Sequence, residues 1–313
     1  MGDGGNRFLP GYLALAESGV LARRAEQARR HLEDCDLCAR YCYVNRLKSV
    51  RGAVCRTGER AVVHSFGPHH GEEPPLRGHR GSGTIFFSWC NLRCDFCQNW
   101  EISRQGRGVE RDPEQLAEMM LALQAMGCHN INLVSPSHVV AQIIAAVSIA
   151  ARRGLKLPIV YNTGGYDSME ALRLLDGVID IYMPDMKFAD STKAHRLSHV
   201  RHYVSYNREA VREMHRQVGD LVLDEEGIAR RGLLVRHLVL PDNLSGTDGV
   251  LKFLAEEISR DTYLNLMDQY RPCYRADAHR SMDRNITDAE FAQALRWARE
   301  MGLERLDRRY SRF

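Results

Sequence analysis

Short apolar runs alternate with amphipathic segments along most of the chain. Runs that are apolar on both faces are typical of parallel strands covered by helices. Between the runs, Asp112 followed by Pro113 predicts a helix start, Gly127 predicts its end, and Thr287 with Glu290 predicts a capping box. The apolar runs occupy residues 84–88, 131–134, 159–161, 178–183, 233–240 and 263–267. The pattern therefore predicts an α/β fold built from six βα units.

Six βα units in register form either a partial (β/α)6 barrel of the TIM type or a doubly wound sheet, and periodicity alone does not separate the two. Both architectures place ligands at the carboxyl ends of the strands. We expect residues 83–313 to form this barrel domain. Residues 64–82, rich in Gly, Pro and His, are expected to be a linker loop, and residues 1–63 a small helical segment that binds metal.

Composition narrows the class of protein. With 313 residues, 44% of them apolar, the chain can bury a substantial core. The 43 basic and 40 acidic residues are scattered, which argues against a dedicated nucleic-acid surface. No run approaches the ~20 apolar residues of a membrane span, and the N-terminus lacks the pattern of a secretory signal. We therefore expect a cytoplasmic protein, in which nine cysteines point to metal ligation or catalysis and not to disulfides.

Three of the cysteines, Cys90, Cys94 and Cys97, lie within eight positions directly after the first apolar run. One loop can then wrap one iron–sulfur cluster, with three cubane corners ligated and one iron free for chemistry. The alternative is a structural zinc site completed by a distant His or Cys. Cys128 and Cys273 stand alone, and we assign no role to them.

Four more cysteines precede the barrel: Cys35, Cys38, Cys42 and Cys55. Four thiolates suffice for a tetrahedral zinc site or for a fully ligated [4Fe-4S] cluster, and the spacing leaves both open. Their segment is too short and irregular to fold around a core of its own, so a bound metal would supply the missing cohesion. Our hypothesis is a second iron–sulfur cluster.

The spacing C-x3-C-x2-C, with Phe96 before the last cysteine and a strand before the first, resembles the signature of the radical S-adenosylmethionine (SAM) superfamily. The resemblance implies that the amine and carboxylate of SAM chelate the free iron and that Phe96 lies near the adenine. One electron would then cleave SAM, and the 5'-deoxyadenosyl radical would abstract a substrate hydrogen.

Over residues 35–276, the order of motifs also resembles that of pyruvate formate-lyase activating enzyme and its activating-enzyme-like relatives with an N-terminal cysteine quartet. This resemblance implies that Asp185 and Lys187 lie near the SAM carboxylate. It further implies that Asn162 and Thr163 shape a polar or cation-binding corner, and that His237 contacts SAM.

The chain departs from these families at two places. The Gly-Gly-Glu motif that holds the methionyl amine in many radical SAM proteins is absent, and Ser135 and Ser137 are expected to replace it. Asn162 stands where the activating enzymes carry an acidic residue, which puts their cation site in doubt. Segment 188–206, with three histidines, is expected to be a long loop that approaches the substrate.

The resulting prediction is a radical SAM enzyme that activates a glycyl radical enzyme by hydrogen abstraction, with flavodoxin or ferredoxin as the electron donor. The same architecture would serve radical chemistry on another peptide, a nucleoside or a small metabolite. A different class of protein, an iron–sulfur electron carrier or a metal-bound interaction module, would use both cysteine groups but would not bind SAM.

Overall fold

The computed structural model describes residues 8–307. The strands are β1 (Ala61–His69), β2 (Ser82–Phe87), β3 (Val109–Arg111), β4 (Ile131–Val134), β5 (Ile159–Thr163), β6 (Ile181–Pro184), β7 (Val222–Leu223), β8 (Ala229–Leu238) and β9 (Tyr263–Met267). The helices are α1 (Gly11–Glu17), α2 (Val20–Arg30), α3 (Pro74–Arg77), α4 (Trp100–Gln105), α5 (Pro113–Ala125), α6 (Val140–Arg152), α7 (Met169–Leu175), α8 (Ser191–Ser198), α9 (Tyr203–Val218), α10 (Thr247–Phe253) and α11 (Asp288–Glu300). None of the helices within 8–307 is both long enough and apolar enough to cross a membrane.

Six parallel strands form the centre of the fold, in the order β2, β4, β5, β6, β8, β9. Each new strand joins the same side of the growing sheet, so the order never reverses as it does in a doubly wound fold. The six predicted strands and the partial (β/α)6 barrel are confirmed.

The two faces of the sheet pack into different cores, because successive side chains of a strand point in opposite directions. Leu133, Tyr161 and Leu233 belong to the large core that the sheet shares with the surrounding helices. Val160 and Leu234, at alternate positions, belong to a smaller core inside the barrel. Leu76 of α3 lies in this inner core, so α3 closes the amino-terminal end of the barrel.

The prediction of a linker loop over 64–82 is wrong. Residues 61–69 form β1, which pairs antiparallel with β2 and carries β3 on its other side. Pro68 lies opposite Gly83, near the end of β1. In this part of β1 only β2 pairs with the strand, because β3 pairs with residues 61–63, and a proline is tolerated at such an edge of a sheet. Pro74 and Pro75 begin α3, because proline fits the first turn of a helix.

The N-terminal helices pack on the barrel. Tyr12, Leu21 and Ala28 are buried in the same core as the barrel helices, and the Tyr12 hydroxyl donates to the Leu157 carbonyl at 2.9 Å. Gly19, with φ 70°, separates α1 from α2. The outer ends of the predicted domains, 1–7 and 308–313, lie outside the described residues.

Candidate functional site

Cys90, Cys94 and Cys97 lie in the loop that follows β2, at the carboxyl end of the barrel. Each sulfur has a hydrogen-bonding neighbour, and such contacts orient thiolates and tune the cluster that they hold. The contacts are Leu92 N to Cys90 Sγ at 3.4 Å, Ser198 Oγ to Cys94 Sγ at 3.0 Å, and Ser103 Oγ with Cys97 Sγ at 3.2 Å. The donor set therefore fits an anionic, thiolate-ligated cluster.

Burial raises the pKa of the Cys90 thiol to about 12, and it raises the pKa of Cys94 as well. The Leu92 amide and the charge of Lys187 act to lower the pKa of Cys90, and the charge of Lys187 also acts to lower that of Cys94. A buried thiol becomes a ligand only by losing its proton to the incoming metal. Within residues 8–307, no three His, Cys, Asp or Glu side chains are grouped as they would be around a single metal ion.

A chain of charged side chains leads from the cysteine triplet into the barrel. Lys187 Nζ lies 2.6 Å from Asp185 Oδ2, and Arg236 Nε lies 2.8 Å from Asp185 Oδ1. Arg236 Nη2 also donates to Asn162 Oδ1 at 2.7 Å. All three charged side chains are less than one-fifth exposed, at 14%, 19% and 18% for Asp185, Lys187 and Arg236. Buried charges of this kind persist only when they are paired.

The pKa values of this chain keep it charged. Burial alone would raise the pKa of Asp185, but the charges of Arg236 and Lys187 lower it below its usual range. Burial would lower the pKa of Lys187, yet Asp185 and Cys94 raise it. Lys187 is therefore an ammonium ion next to the cysteine triplet, in the place where the sequence predicts a partner for the SAM carboxylate.

The polar corner that was expected around Asn162 contains a cation of the protein itself, the guanidinium of Arg236. Arg236 bridges Asn162 and Asp185, so its guanidinium occupies the acceptor atoms that were expected to shape a cation-binding corner. Sequence reasoning missed Arg236 because the neighbouring His237 looked like the more reactive group. The signal was available in the two-residue period of β8, in which only one of two neighbours can face the barrel interior.

His237 itself faces the other way, and its contact with SAM stays a prediction. The ring is completely buried, with Nδ1 2.5 Å from the Met186 carbonyl oxygen and Nε2 2.9 Å from Thr247 Oγ1. Both nitrogens are therefore engaged with the wall of the barrel. Burial lowers the pKa of His237 to about 4, so the ring is neutral.

Ser137 and Thr163 are buried in the wall of the barrel, and their expected roles near SAM stay predictions. The two hydroxyls are 2.9 Å apart, and Thr163 Oγ1 donates to Asp167 Oδ2 at 2.7 Å. Tyr161 donates to the other Asp167 oxygen, and burial raises the pKa of this carboxyl. Ser135 is half-buried at the end of β4, with φ 60° and its N–H donating to the Asn162 carbonyl. Ser135 is thus less enclosed than Ser137, and its expected contact with SAM stays a prediction.

Phe96 lies in an aromatic wall next to the triplet. It is 6% exposed and meets the rings of Phe188 and Tyr270 edge to face, with centroids 6.1 and 6.4 Å away. The free thiol of Cys273 donates to the Phe96 carbonyl at 3.4 Å, although the sequence pointed to no role for this cysteine. The position of Cys273 depends on the conformation of the loop after β9, and no local sequence pattern predicts that conformation.

The prediction of a long loop over 188–206 is wrong. Asp190 caps α8 by accepting from the N–H groups of Thr192 and Lys193, and α9 starts at Tyr203. The end of α8 supports the triplet, because the Ser198 and Leu197 carbonyls accept from the N–H groups of Arg93 and Asp95. This segment therefore holds the cysteine loop in place.

Comparison with known proteins agrees with this geometry. The sequence profile of the Radical SAM superfamily matches residues 84–224. Over 302 residues the chain is 30% identical to the uncharacterized protein MJ0674 of Methanocaldococcus jannaschii, an alignment that covers 93% of this chain and 82% of that protein. The chain belongs to the radical SAM superfamily. It is thus a radical SAM enzyme that uses SAM and an iron–sulfur cluster.

Two solved structures of radical SAM proteins are distant matches. A radical SAM methyltransferase from Sphaerobacter thermophilus is 13% identical, with a TM-score of 0.49 over 70% of this chain and 64% of that one. Methylornithine synthase (PylB) is 16% identical, with a TM-score of 0.47 over 95% of this chain and 75% of that one. Similarity at this level carries no conclusion about the substrate of this radical SAM enzyme.

The cysteine quartet of this radical SAM enzyme surrounds a buried arginine. Cys35, Cys38 and Cys55 are buried, whereas Cys42 is half-buried. Arg46 is 3% exposed and directs Nη1 to Cys35 Sγ at 3.4 Å. Burial acts to lower the pKa of Arg46, but the nearby thiols raise it above its usual value. The site therefore pairs a permanent cation with ligands that become anionic on binding metal.

The quartet segment lies directly against the triplet loop. Arg40 Nε donates to the Asn91 carbonyl at 2.6 Å, and its guanidinium lies over the ring of Tyr166. In the other direction, Arg93 of the triplet loop donates to the Val54 carbonyl. The structure thus joins the two groups of cysteines, although about 35 residues separate Cys55 from Cys90.

Proposed function

We propose that Cys90, Cys94 and Cys97 hold a [4Fe-4S] cluster and that Lys187 binds the carboxylate of SAM beside it. The observation that carries this proposal is the buried Lys187–Asp185 pair next to Cys94. When bound, the cluster would supply the electron that cleaves SAM, and the 5'-deoxyadenosyl group so released would take a hydrogen atom from the substrate. Such a radical must be shielded from water, which is the task of the surrounding protein.

The side chains of the site have distinct tasks in this proposal. Asp185 orients the Lys187 ammonium, and Arg236 in turn fixes Asp185 and Asn162. The amide of Leu92 and the hydroxyl of Ser198 stabilise the thiolates of the cluster. These groups are held before any ligand arrives, so little reorganisation is needed when charge develops.

A wall of aromatic rings adjoins these charges, and the Tyr203 hydroxyl accepts from the Lys187 amide and donates to the Asp185 carbonyl. Phe188 stands between Phe96 and Tyr203, with centroids 6.1 and 5.8 Å away. All three rings are nearly inaccessible to solvent. We propose that this wall excludes water from the radical and provides an apolar surface for the adenine, as the resemblance implies for Phe96.

For the substrate we propose a glycyl radical enzyme, from which the protein abstracts a backbone hydrogen, with a reduced flavodoxin or ferredoxin as electron donor. Support comes from the order of motifs shared with the activating enzymes, including the Asp185-x-Lys187 element at the end of β6. Another peptide, a nucleoside or a small metabolite would be identified by transfer of deuterium from labelled candidates into 5'-deoxyadenosine.

Anaerobic incubation of iron-reconstituted protein with SAM and dithionite tests the chemistry, with 5'-deoxyadenosine as the product measured. We expect production in the wild type and loss in Cys94→Ala, with Cys128→Ala as the matched control because that buried cysteine lies away from the site. An intact, reducible cluster that yields no 5'-deoxyadenosine would overturn the proposal and favour an electron carrier or interaction module.

For the quartet we propose a second [4Fe-4S] cluster. The buried Arg46 beside Cys35 supports an anionic metal–thiolate centre at the quartet, because a permanent cation stabilises a site with net negative charge. Iron and zinc analysis of a variant with alanine at Cys90, Cys94 and Cys97 tests this point. We expect about four iron atoms per chain, as in any such cluster. Zinc without iron in that variant would refute the proposal.

A further inference from the structure

We propose that Asn132, inside the barrel, binds the backbone of the substrate glycine by pairing with its N–H and carbonyl groups, and that Asn265 accepts a further hydrogen bond from the same peptide. This inference rests on the proposed peptide substrate and names the side chains that recognise it. It concerns the interior of the barrel and not the cysteine loops.

Asn132 is the second residue of β4, and its side chain faces the barrel interior. Ile131 and Leu133, on either side of it, belong to the large core outside the sheet, whereas its register partner Val160 on β5 belongs to the smaller core inside the barrel. Side chains alternate along a strand, so Asn132 points inward. It lies two positions below the level of Asn162, which is roughly 7 Å deeper when measured from the carboxyl end of the barrel.

The amide of Asn132 is completely buried, yet neither Oδ1 nor Nδ2 has a hydrogen-bond partner among residues 8–307. Such a group loses its hydrogen bonds to water without replacement and therefore destabilises the fold. Asn130, just before β4, shows the ordinary case, since Oδ1 accepts from Ser82 Oγ at 2.6 Å and Nδ2 donates to the Leu76 carbonyl at 2.8 Å. The contrast indicates that a ligand supplies the partners of Asn132.

A second buried amide faces the same interior. Asn265 of β9 is 1% exposed and lies between Leu264 and Leu266, which belong to the large core. Its Nδ2 donates to Glu73 Oε1 at 2.7 Å, and because a carboxylate only accepts, this contact fixes the orientation of the amide. Asn265 Oδ1 is therefore an acceptor, and it has no partner within the part of the chain that the structure describes.

The groups that these two amides offer match a peptide backbone. In an extended chain the N–H and C=O of one residue point to the same side, as they do in a hydrogen-bonded pair of antiparallel strands. A carboxamide presents a donor next to an acceptor, so Asn132 can pair with both groups of a single residue. Asn265 Oδ1 can accept from the N–H of another residue of the same peptide.

The packing of the interior favours glycine as the residue that binds there. The amide atoms of Asn132 and the Oδ1 atom of Asn265 are closed off from solvent. A ligand must therefore displace side chains to reach them, and a glycine, which has no side chain, displaces least. A purine base offers a similar donor–acceptor edge to an asparagine, but it is much larger.

The first test compares the stability of Asn132→Leu with that of Asn130→Leu, because leucine has nearly the shape of asparagine without its polar groups. Anaerobic urea denaturation of the reconstituted protein measures the equilibrium constant of unfolding. We expect Asn130→Leu to raise it about tenfold or more, since Ser82 and Leu76 lose their partner, and Asn132→Leu to leave it unchanged or lower it. An equal rise in both variants would show that Asn132 is a structural amide, paired for example with a buried water, and would overturn the proposal.

The second test measures recognition by calorimetric titration of the reconstituted protein with SAM and without reductant, so that no turnover occurs. The probes are acetyl-Ala-Gly-Ala-amide, the same peptide with sarcosine in place of glycine, which lacks the N–H donor, and adenosine. We expect the wild type to bind the glycine peptide about tenfold or more tightly than the sarcosine peptide, and Asn132→Leu to lose this preference.

Equal affinity of the wild type and Asn132→Leu for the glycine peptide would overturn the inference and leave a peptide substrate in place. If the wild type binds neither peptide, or binds adenosine more tightly than both, the inference fails together with the proposed glycyl substrate.

Discussion

At the scale of single residues, Asp185, Lys187 and Arg236 show how charges are kept inside a barrel. Desolvation of an unpaired charge costs several kcal/mol, so each of the three persists through its partners. Arg236 contributes a planar fork that reaches Asp185 and Asn162 together, while the Lys187 ammonium is paired with the other oxygen of Asp185. The site therefore holds positive charge at a fixed position, as the binding of an anionic ligand requires.

Replacement of Lys187 by Met tests whether this ammonium binds SAM. The variant keeps most of the length of the side chain without its charge, and it leaves Asp185 paired with Arg236. Loss of a hydrogen bond between charged groups costs about 1.5–3 kcal/mol, so we expect the dissociation constant of SAM to rise roughly 10- to 100-fold. Calorimetric titration of the reconstituted protein measures it, with Lys156→Met as control. An unchanged dissociation constant would remove Lys187 from the site.

Replacement of Arg236 by Lys tests whether the double contact of the guanidinium with Asp185 and Asn162 stabilises the protein. A lysine cannot reach both Asn162 and Asp185, so one buried acceptor loses its partner. We expect the free energy of unfolding to fall by about 2–3 kcal/mol, measured by anaerobic urea denaturation. A loss below about 0.5 kcal/mol, as is usual for a surface substitution, would show that the fork is not needed.

At the scale of elements, strand β8 separates two adjacent residues with opposite tasks. Arg236 faces the barrel interior, and His237 faces outward to Met186 and Thr247. Helix α8 shows the same principle, since its last residues support the triplet while His195 is exposed. The direction in which an element presents a side chain decides whether that side chain can act on a ligand.

The buried His237 predicts a pH dependence of stability. Its pKa is about 4 in the folded protein, against about 6.5 in an unfolded chain. The unfolded state therefore binds more protons between these values, and the free energy of unfolding falls as pH decreases from 6.5 to 4, by at most about 3 kcal/mol for this residue. We expect His237→Gln to flatten this slope without changing the affinity for SAM.

Urea denaturation from pH 4 to pH 7 measures the slope. Part of it should remain in the variant, because burial also lowers the pKa of His138, to about 3. A slope identical to that of the wild type would show that His237 does not contribute. A large loss of SAM affinity would instead support the predicted contact.

At the scale of the whole molecule, the N-terminal segment and the barrel share one core. Tyr12, Leu21 and Leu32 are buried in the same cluster as Leu133 of β4. Asp180 connects the two parts, because its carboxylate oxygens accept from the Gly11 and Ile159 amides at 2.9 Å. Elements that share so much buried surface are expected to unfold together.

Hydrogen exchange tests this cooperativity in the native holoprotein. We expect the central amides of α2 and those of β4 to exchange with similar protection, because α2 opens only when the core opens. Peptide-level mass spectrometry measures the exchange. Protection of α2 weaker by about 3 kcal/mol or more would show that residues 11–30 open as a separate unit, as the predicted division at residue 63 implies.

Local features of the fold were predictable from the sequence. The helix start at Asp112 and the capping box at Thr287 formed as expected, and the six apolar runs became the six parallel strands. The triplet was recognisable because its three ligands come from one loop, so spacing alone reports their proximity. Such features depend on interactions between residues that are close in the chain.

The sequence by itself thus determined the strands, the helix caps and the cysteine loop, since each of them depends on near neighbours along the chain. Only the tertiary structure decided that Arg236 and not His237 faces the barrel interior, that Ser198 reaches Cys94 and that the quartet lies against the triplet. These contacts join residues far apart in sequence, and they are set by how strands and helices pack, which no local pattern encodes.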